Sequence, residues 1–198
     1  MARVKNQHTY TLRNCKGGTA MHLSGDDNYS ISGFRPYDGS NQAWIFQQRD
    51  CDQNGWFIKS SRSGKYLGIE GNPKNGALVV VVSKPFKWDV KDSNVNGAKG
   101  VRILVYGTNF SLDLDYGKSA NHTKIILWES GNNANQIWAP TERVSIKDQH
   151  TYSLKNCRRG TAVDLSGNDS YSIIGFTPYD GPNQGVIYHS VADRLCVD

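Results

Sequence analysis

The sequence contains no long hydrophobic run. Its longest apolar stretch, Ala77 to Val82, is only long enough for a strand, whereas a helix needs about 18 apolar residues to cross a membrane. The N-terminus, residues 1–7, is polar and lacks the apolar segment of a secretory signal peptide. We therefore expect no membrane insertion and no secretion signal, and we predict a cytoplasmic protein.

Cysteine is scarce as well, with four among 198 residues. Cys15 and Cys157 occupy equivalent positions of the internal repeat described below, which favours small core residues over a disulfide framework. A cytoplasmic location would keep all four thiols reduced.

Motifs for catalysis and for cofactors are also missing. The five histidines lie in turns or at strand starts without ligand spacing, and there is no nucleophile elbow, Gly-rich phosphate loop or Cys/His cluster. Asp113 and Asp115 are two positions apart on one strand face, whereas a glycosidase needs two carboxyl groups facing each other across a cleft. We expect no enzyme activity, no metal and no cofactor.

Positive charge is present but is not concentrated. The net charge of +5 comes from 23 Lys and Arg against 18 Asp and Glu, which are scattered along the chain. No predicted helix or aromatic platform gathers the basic residues into a patch. Nucleic acid is therefore not an expected partner.

Glycine and aromatic residues are abundant, with 20 glycines, 10 tyrosines and 5 tryptophans. This composition is typical of an all-β protein. Three segments share the order strand, turn, strand with an outward polar residue, long turn and closing tryptophan. They predict three four-stranded lobes at about residues 7–48, 55–92 and 100–140. Three units favour a closed three-fold barrel over a propeller, which typically has four or more blades.

The third segment contains the most informative stretch, Phe110 to Trp138. Leu112 and Leu114 alternate with Asp113 and Asp115, so we expect the leucines to face the core and the carboxylates to be exposed. A carboxylate, an aromatic ring and a side-chain amide suit a sugar, because hydroxyls donate to the carboxylate and the ring stacks on the C–H face. The residues of this candidate site are Asp113, Trp128 and Asn135.

An alternative interpretation of these residues remains open. In it, Asp113 only caps a turn and Trp128 fills the core.

The C-terminal part of the chain repeats the first lobe. Residues 7–46 align without a gap on residues 149–188, with 26 of 40 positions identical. This repetition predicts a domain at 1–146 and a truncated partial duplicate at 147–198. The duplicate has an acid where the first lobe has His22, but Val186 replaces the closing tryptophan. Its candidate site residues are Asp164, Phe176 and Asn183.

Several motifs carry a family resemblance, namely Gly18–Gly25, Ser30–Phe34, Tyr66–Gly68, Trp88–Val90 and Asn135–Trp138. With three lobes in register, they resemble the mushroom branch of the ricin-B-like lectins (R-type lectins). The resemblance covers residues 7–140 in full and 149–188 as a second first lobe. It implies an all-β chain with a β-trefoil fold.

The resemblance also implies a function. Such a protein would bind glycans of glycoproteins or glycolipids, of the galactose or N-acetylgalactosamine type, and serve in fungal defence by agglutination or toxicity to predators. Because agglutination needs two sites on one particle, a homodimer or the use of several lobes is expected. The alternative is a β-trefoil protease inhibitor that acts through exposed loops.

In this family the residue between the two leucines binds sugar hydroxyls, so the lobes can be compared. His22 replaces the acid in the first lobe, which we expect to be weak, retuned or silent. The second lobe has Gly68 at this position and is predicted to be scaffold. The resemblance also implies that Gln136 and Trp138 are structural, with the indole filling the barrel and Gln136 connecting strands. The weaker candidates of the first lobe are His22, Asp26, Phe34, Asp38 and Asn41.

Overall fold

Short runs rich in valine, isoleucine and aromatic residues form the strands, since these side chains fit a pleated, half-buried surface. The computed structural model describes residues 4–49 and 52–143, together with strand residues 151–152, 162–165, 173–176 and 186–187. The chain divides into two units, Met1–Val144 and Ser145–Asp198. The strands of the first unit are β1 (His8–Asn14), β2 (Ala20–Leu23), β3 (Ile31–Phe34), β4 (Trp44–Arg49), β5 (Asp52–Ser60), β6 (Tyr66–Ile69), β7 (Val79–Val82), β8 (Lys87–Val95), β9 (Ala98–Val105), β10 (Phe110–Leu114), β11 (Thr123–Glu129) and β12 (Trp138–Arg143).

Six of these strands form a closed barrel in which every pairing is antiparallel. Strand β1 pairs with β4 and β12, β5 pairs with β4 and β8, and β9 pairs with β8 and β12. The pairing that closes the ring runs from Thr9 opposite Arg143 to Asn14 opposite Trp138. The barrel is therefore complete within the first unit.

Three hairpins, β2–β3, β6–β7 and β10–β11, cover one end of the barrel. They also contact one another, because β3 pairs with β11 and isolated bridges join Ser30 to Val80 and Leu78 to Ile126. Each lobe consists of two barrel strands and one hairpin, so the lobes are β1–β4, β5–β8 and β9–β12.

A buried tryptophan begins or nearly begins the last strand of each lobe. Trp44, Trp88 and Trp138 have no exposed surface. Each indole N–H donates to a backbone carbonyl in the hairpin of its own lobe, at 3.0, 2.9 and 3.3 Å respectively. A buried indole needs such an acceptor, and the repetition of this bond gives the three lobes the same internal geometry.

The all-β class and the β-trefoil fold predicted from the sequence are thus confirmed for the first unit. Within the described residues, helical structure is limited to single 3-10 turns. The described part of the chain contains no helix of sufficient length and apolarity to cross a membrane.

The second unit contains four described strands, β13 (Thr151–Tyr152), β14 (Ala162–Leu165), β15 (Ile173–Phe176) and β16 (Val186–Ile187). Strand β13 pairs with β16, and β14 pairs with β15. Ala162 lies opposite Phe176, as Ala20 lies opposite Phe34 in the first lobe. The division into domains 1–146 and 147–198 stays a prediction, since most of the second unit lies outside the described residues.

Candidate functional site

Hairpin β10–β11 places two of the predicted site residues on one face. Asp113 lies opposite Ile126, and Trp128 lies opposite Ser111. Residues two apart on a strand share a face, so Asp113 and Trp128 are diagonal neighbours across the hairpin. A 3-10 turn after β11 brings Asn135 to the same carboxylate. We call Asp113, Trp128 and Asn135 the third-lobe site.

Asp113 forms the floor of this site and is only 6% exposed. Nδ2 of Asn135 donates to its Oδ1 at 2.7 Å, and Nε2 of Gln136 donates to its Oδ2 at 2.9 Å. The expectation of an exposed carboxylate was wrong: Asp113 does alternate with the buried leucines, but these two amides cover it. Because a carboxylate offers about four lone-pair positions, acceptor capacity remains for ligand hydroxyls.

The electrostatics of Asp113 follow from this burial. Loss of water raises the pKa of Asp113 above its ordinary value, because the ionised form is desolvated. The hydrogen bonds from Gln136 and Asn135 lower the pKa, the nearby charge of Asp115 raises it, and the charge of Lys16 lowers it. Two neutral amides thus orient the carboxylate.

The side chain of Trp128 is 47% exposed. The alternative in which this residue fills the core is therefore wrong, and its ring is available to stack on the C–H face of a sugar. Trp138, by contrast, is fully buried and donates to the carbonyl of Leu112. Its predicted role in the core is confirmed.

Gln136 connects the site to the barrel. Its Nε2 also donates to the carbonyl of Glu129 at 3.0 Å, and its Oε1 accepts from Gly131 N–H at 2.9 Å and from Arg102 Nη1 at 2.6 Å. The same Nη1 of Arg102 lies 2.8 Å from Oγ of Ser130. Sequence reasoning missed Arg102, although a lone arginine within the apolar strand β9 was an available signal.

The first lobe repeats the layout of the third with different chemistry. Phe34 pairs with Ala20, two positions before His22. In the same way, Trp128 pairs with Ser111, two positions before Asp113. His22 therefore stands where the third lobe has its carboxylate, and Phe34 stands where it has its indole.

His22 is 7% exposed and is enclosed by aromatic rings. It stacks on Phe34 with ring centroids 4.7 Å apart, and its Nε2 lies 3.2 Å from the hydroxyl of Tyr37. No group in the described residues bonds to its buried Nδ1. Burial lowers the pKa of His22, and the charges of His122 and Arg62 lower it further, so the imidazole is neutral at pH 7.

The amide of Asn41 repeats one contact of its counterpart in the third lobe. Its Nδ2 donates to the carbonyl of Leu23 at 2.8 Å, as Asn135 donates to the carbonyl of Leu114 at 3.2 Å. Its Oδ1 accepts from Nη1 of Arg62 at 3.1 Å. We call His22, Phe34, Tyr37 and Asn41 the first-lobe site.

Asp26 and Asp38 are the two acids among the weaker candidates of the first lobe. Asp38 is highly exposed and pairs with Arg143. Asp26 is exposed, and its backbone N–H donates to Oγ of Ser24. In the described residues, no hydrogen bond joins either carboxylate to His22. The structure therefore places both aspartates near the first lobe without bonding them to its central residue.

In the second lobe, the position equivalent to His22 and Asp113 is Gly68, and it has no space for a side chain. A Cβ at Gly68 would lie 2.6 Å from Cγ2 of Val82 and 3.1 Å from Cβ of Phe86. Phe86 also packs at a 5.0 Å centroid distance against Trp88. Apolar groups occupy this position.

The candidates of the duplicate are only partly described. Asp164 and Phe176 lie on the paired strands β14 and β15, while their side chains and all of Asn183 lie outside the described residues. Sites in the duplicate stay predictions.

Two other features bear on ligand type. A groove of about 590 Å³ lies where the three hairpins meet, and Asp113, Trp128 and Asn135 do not line it. Within residues 4–49 and 52–143, no group of three or more His, Cys, Asp or Glu is arranged to hold a metal ion. The third-lobe site is therefore a separate surface site built from a carboxylate, amides and an indole.

The profile of the family described as "Ricin-type beta-trefoil lectin domain-like" matches residues 2–82, 40–128 and 86–173. The chain belongs to this family. The family predicted from the sequence is thereby confirmed, and it is a family of lectin domains.

Solved structures agree with this assignment. The ricin B-like lectin of Macrolepiota procera, solved in complex with lactose, is 38% identical, with 70% of this chain and 97% of that chain covered and a TM-score of 0.65. The Rhizoctonia solani agglutinin is 26% identical, with 72% and 100% covered and a TM-score of 0.63. A designed three-fold symmetric protein, ThreeFoil, shares the fold at 19% identity, 67% and 96% coverage and a TM-score of 0.57. A search of curated proteins found no match.

Proposed function

We propose that this ricin-type lectin domain protein binds carbohydrate and that the third-lobe site holds a neutral sugar of the galactose or N-acetylgalactosamine type. The observation that carries the proposal is a carboxylate held by two amides beside a half-exposed indole. The lactose complex of the Macrolepiota procera lectin, a relative at 38% identity, supports this choice of sugar.

In the proposed complex, two sugar hydroxyls donate to Asp113 in charge-assisted hydrogen bonds. Asn135 and Gln136 already fix the orientation of the carboxylate, so little ordering is needed when the sugar arrives. The indole of Trp128 covers the apolar C–H face of the ring.

We propose binding without catalysis. Asp115, whose charge acts on Asp113, follows it by two residues, and its Oδ2 lies 3.8 Å from Nζ of Lys118. A glycosidase needs its two carboxyl groups on opposite sides of the scissile bond. Within the described residues, the third-lobe site offers no such opposed pair.

Asp113→Asn tests this assignment, with Asp115→Asn as the matched control that removes the same charge two residues away. Each lost charge-assisted bond is worth about 1.5–3 kcal/mol, so we expect Asp113→Asn to weaken galactose binding at least about tenfold. Asp115→Asn should change the affinity by no more than about twofold. Calorimetric titration of the full chain, with circular dichroism as the check of folding, measures both.

Equal galactose affinity of Asp113→Asn and the parent would show that the site is misassigned. Titration against cysteine and serine proteases tests the inhibitor alternative in the same preparations. Stoichiometric protease inhibition without retention on a galactose column would favour that alternative.

The biological setting belongs to the same proposal. We propose a cytoplasmic fungal defence lectin whose agglutinating activity uses a homodimer or more than one lobe per chain, as the family resemblance implies. Agglutination of erythrocytes together with the molar mass in solution tests the valency. A monomer that binds one glycan per chain and still agglutinates would contradict it.

A further inference from the structure

The candidate sites of the first and third lobes each lie near a cation from the first turn of a neighbouring lobe. The turns at residues 14–20 and 60–66 have the same geometry: the N–H of Gly18 and of Gly64 bonds to the carbonyl four residues earlier, both at 2.9 Å. The two glycines also share a positive φ of about 70°. Lys16 and Arg62 therefore occupy equivalent positions.

The surroundings of the two cations differ. Lys16 is close enough to Asp113 for its charge to lower the pKa of that carboxyl group. Arg62 acts on His22, whose pKa it lowers as a like charge. In the third lobe, the charge of Lys16 is thus balanced by the carboxylate of Asp113. In the first lobe, the equivalent cation Arg62 lies near the neutral imidazole of His22.

Neutral oxygens hold Arg62 in place. Its Nε donates to Oδ1 of Asn28 at 2.8 Å, and its Nη1 donates to Oδ1 of Asn41 at 3.1 Å. No Asp or Glu in the described residues lies within ion-pair distance of this guanidinium. Since a guanidinium has five N–H donors, further donors remain for an anionic ligand.

The acids of the adjacent loop do not neutralise this charge by contact. Asp27 accepts bonds from the Ser30 hydroxyl and from the backbone N–H groups of Ser30 and Tyr29, which lower its pKa to about 2. Asp26 raises the pKa of His22, an effect smaller than the lowering by Arg62. Neutral oxygens thus orient Arg62, and no acid among the described residues pairs with it.

Aromatic rings complete the first-lobe site. Phe34 packs edge-on against Tyr37 at 6.2 Å and against His122 at 5.1 Å between ring centroids. Tyr37 is 41% exposed and presents both a ring and a hydroxyl. Rings of this kind suit the C–H face of a sugar, so the site combines sugar-stacking groups with a guanidinium held by neutral oxygens.

We propose that the first-lobe site binds a sugar carrying a carboxylate or sulfate group, with Arg62 pairing the anion and Tyr37 and Phe34 contacting the ring. This inference rests on the proposed carbohydrate-binding function and extends it to a second class of sugar. The chain would then combine a site for neutral sugars in its third lobe with a site for acidic sugars in its first. A planar guanidinium suits either anion, because its N–H groups match two oxygens at once.

Three probes that differ only at C6 test the proposal: galactose, galacturonic acid and galactose 6-sulfate. Each is titrated into the full chain at constant ionic strength, because a protein of net charge +5 attracts anions generally. Arg62→Gln removes the proposed anchor. The control Lys65→Gln removes one charge from the same exposed turn.

We expect Arg62→Gln to weaken binding of at least one acidic probe about tenfold or more while leaving galactose affinity unchanged. Lys65→Gln should leave all three affinities within about twofold. Comparison of galacturonic acid with galactose 6-sulfate shows whether the site takes a carboxylate, a sulfate or both. Arg62→Lys, which keeps the charge and loses the planar fork, should retain only part of the affinity.

The result that overturns the inference is equal binding of both acidic probes by Arg62→Gln and the parent, or no binding of either by the parent. Asp113→Asn separates this inference from the function proposed above. If galactose binding survives Asp113→Asn while acidic probes require Arg62, the third-lobe assignment fails and this inference stands. If Asp113→Asn abolishes galactose binding and Arg62→Gln leaves binding of the acidic probes unchanged, the third-lobe assignment stands and this inference fails.

Discussion

At the scale of single residues, Asp113 combines opposing effects on its ionisation. Burial disfavours the charged carboxylate, while hydrogen bonds from Gln136 and Asn135 favour it. Arg102 reaches the same network through Gln136. A carboxylate held in this way is oriented before a sugar arrives, and it protonates more readily than an exposed aspartate.

Galactose binding should therefore weaken as the pH falls, beginning above 3.8, the ordinary pKa of an aspartate. The reason is that hydroxyl groups donate to the ionised form, and the raised pKa of Asp113 brings protonation to a higher pH. Calorimetric titration of the parent and of Asp113→Asn from about pH 7.5 down to 3.8 measures this effect. Residual binding by the variant should be independent of pH over this range.

The ionisation of Asp113 gives the stability of the fold the opposite dependence on pH. Since the folded-state pKa lies above the unfolded value, the contribution of Asp113 to the free energy of unfolding is present below the unfolded pKa. It is lost as the pH rises through the folded pKa. Weaker binding at low pH with an unchanged circular dichroism spectrum would support the prediction, while constant affinity down to pH 3.8 would contradict it.

The sequence predicted which residues form the third-lobe arrangement but not how deeply they lie. Alternation of Leu112, Asp113 and Leu114 identified the strand face correctly. The groups that cover Asp113 come from a turn more than 20 residues later, and the arginine behind them comes from β9. Contacts between segments so distant in sequence are not visible in the periodicity of one strand.

At the scale of elements, the three hairpins share a backbone pattern and differ in the side chain at one equivalent position. Each carries a residue between two core positions, namely His22, Gly68 or Asp113. At Gly68, apolar atoms of Val82 and Phe86 fill the space that a side chain would need. The hairpin register therefore defines a position for a site, and neighbouring side chains decide whether a site forms there.

Gly68→Asp tests this conclusion. If the backbone alone made a site, the new carboxylate would add a sugar site to the second lobe. We expect no additional site and a loss of stability of about 1–3 kcal/mol, because the side chain overpacks against Val82 and Phe86 and would be buried without a partner. Sugar stoichiometry by calorimetry and denaturant unfolding measure the two effects.

The parent protein is the control for both measurements, and galactose affinity at the third lobe should be unchanged in the variant. One additional sugar per chain, with stability equal to the parent, would contradict the interpretation of the second lobe as scaffold. A side chain that swings into solvent without loss of stability would weaken the packing argument alone.

At the scale of the whole molecule, three segments with the same order of strands and turns, each with a closing tryptophan, predicted three lobes. A barrel of three equivalent units needs one large core residue from each, and Trp44, Trp88 and Trp138 supply them. The sequence also showed a fourth, partial copy of the first lobe. Its sequence matches the first lobe closely. The barrel, however, is already closed by three lobes, so sequence similarity alone does not determine the structural role of the fourth copy.

Removal of residues 147–198 should leave the barrel folded. Every pairing of the closed barrel lies between His8 and Arg143, and the third-lobe site lies within the same range. We expect the truncated chain 1–146 to melt within about 4 °C of the first unit in the full chain, a shift that corresponds to about 1 kcal/mol. Its galactose affinity should be unchanged, as measured by calorimetry.

Agglutination by the same truncated chain shows what the duplicate contributes. If residues 147–198 provide a dimer contact or an additional site, the truncated chain keeps its affinity for single sugars and loses agglutination, because valency falls without a change in any one site. If agglutination persists, the lobes of the barrel supply the valency themselves. A truncated chain that unfolds would show that the duplicate belongs to the barrel, and it would contradict the closure of the barrel by β1 and β12.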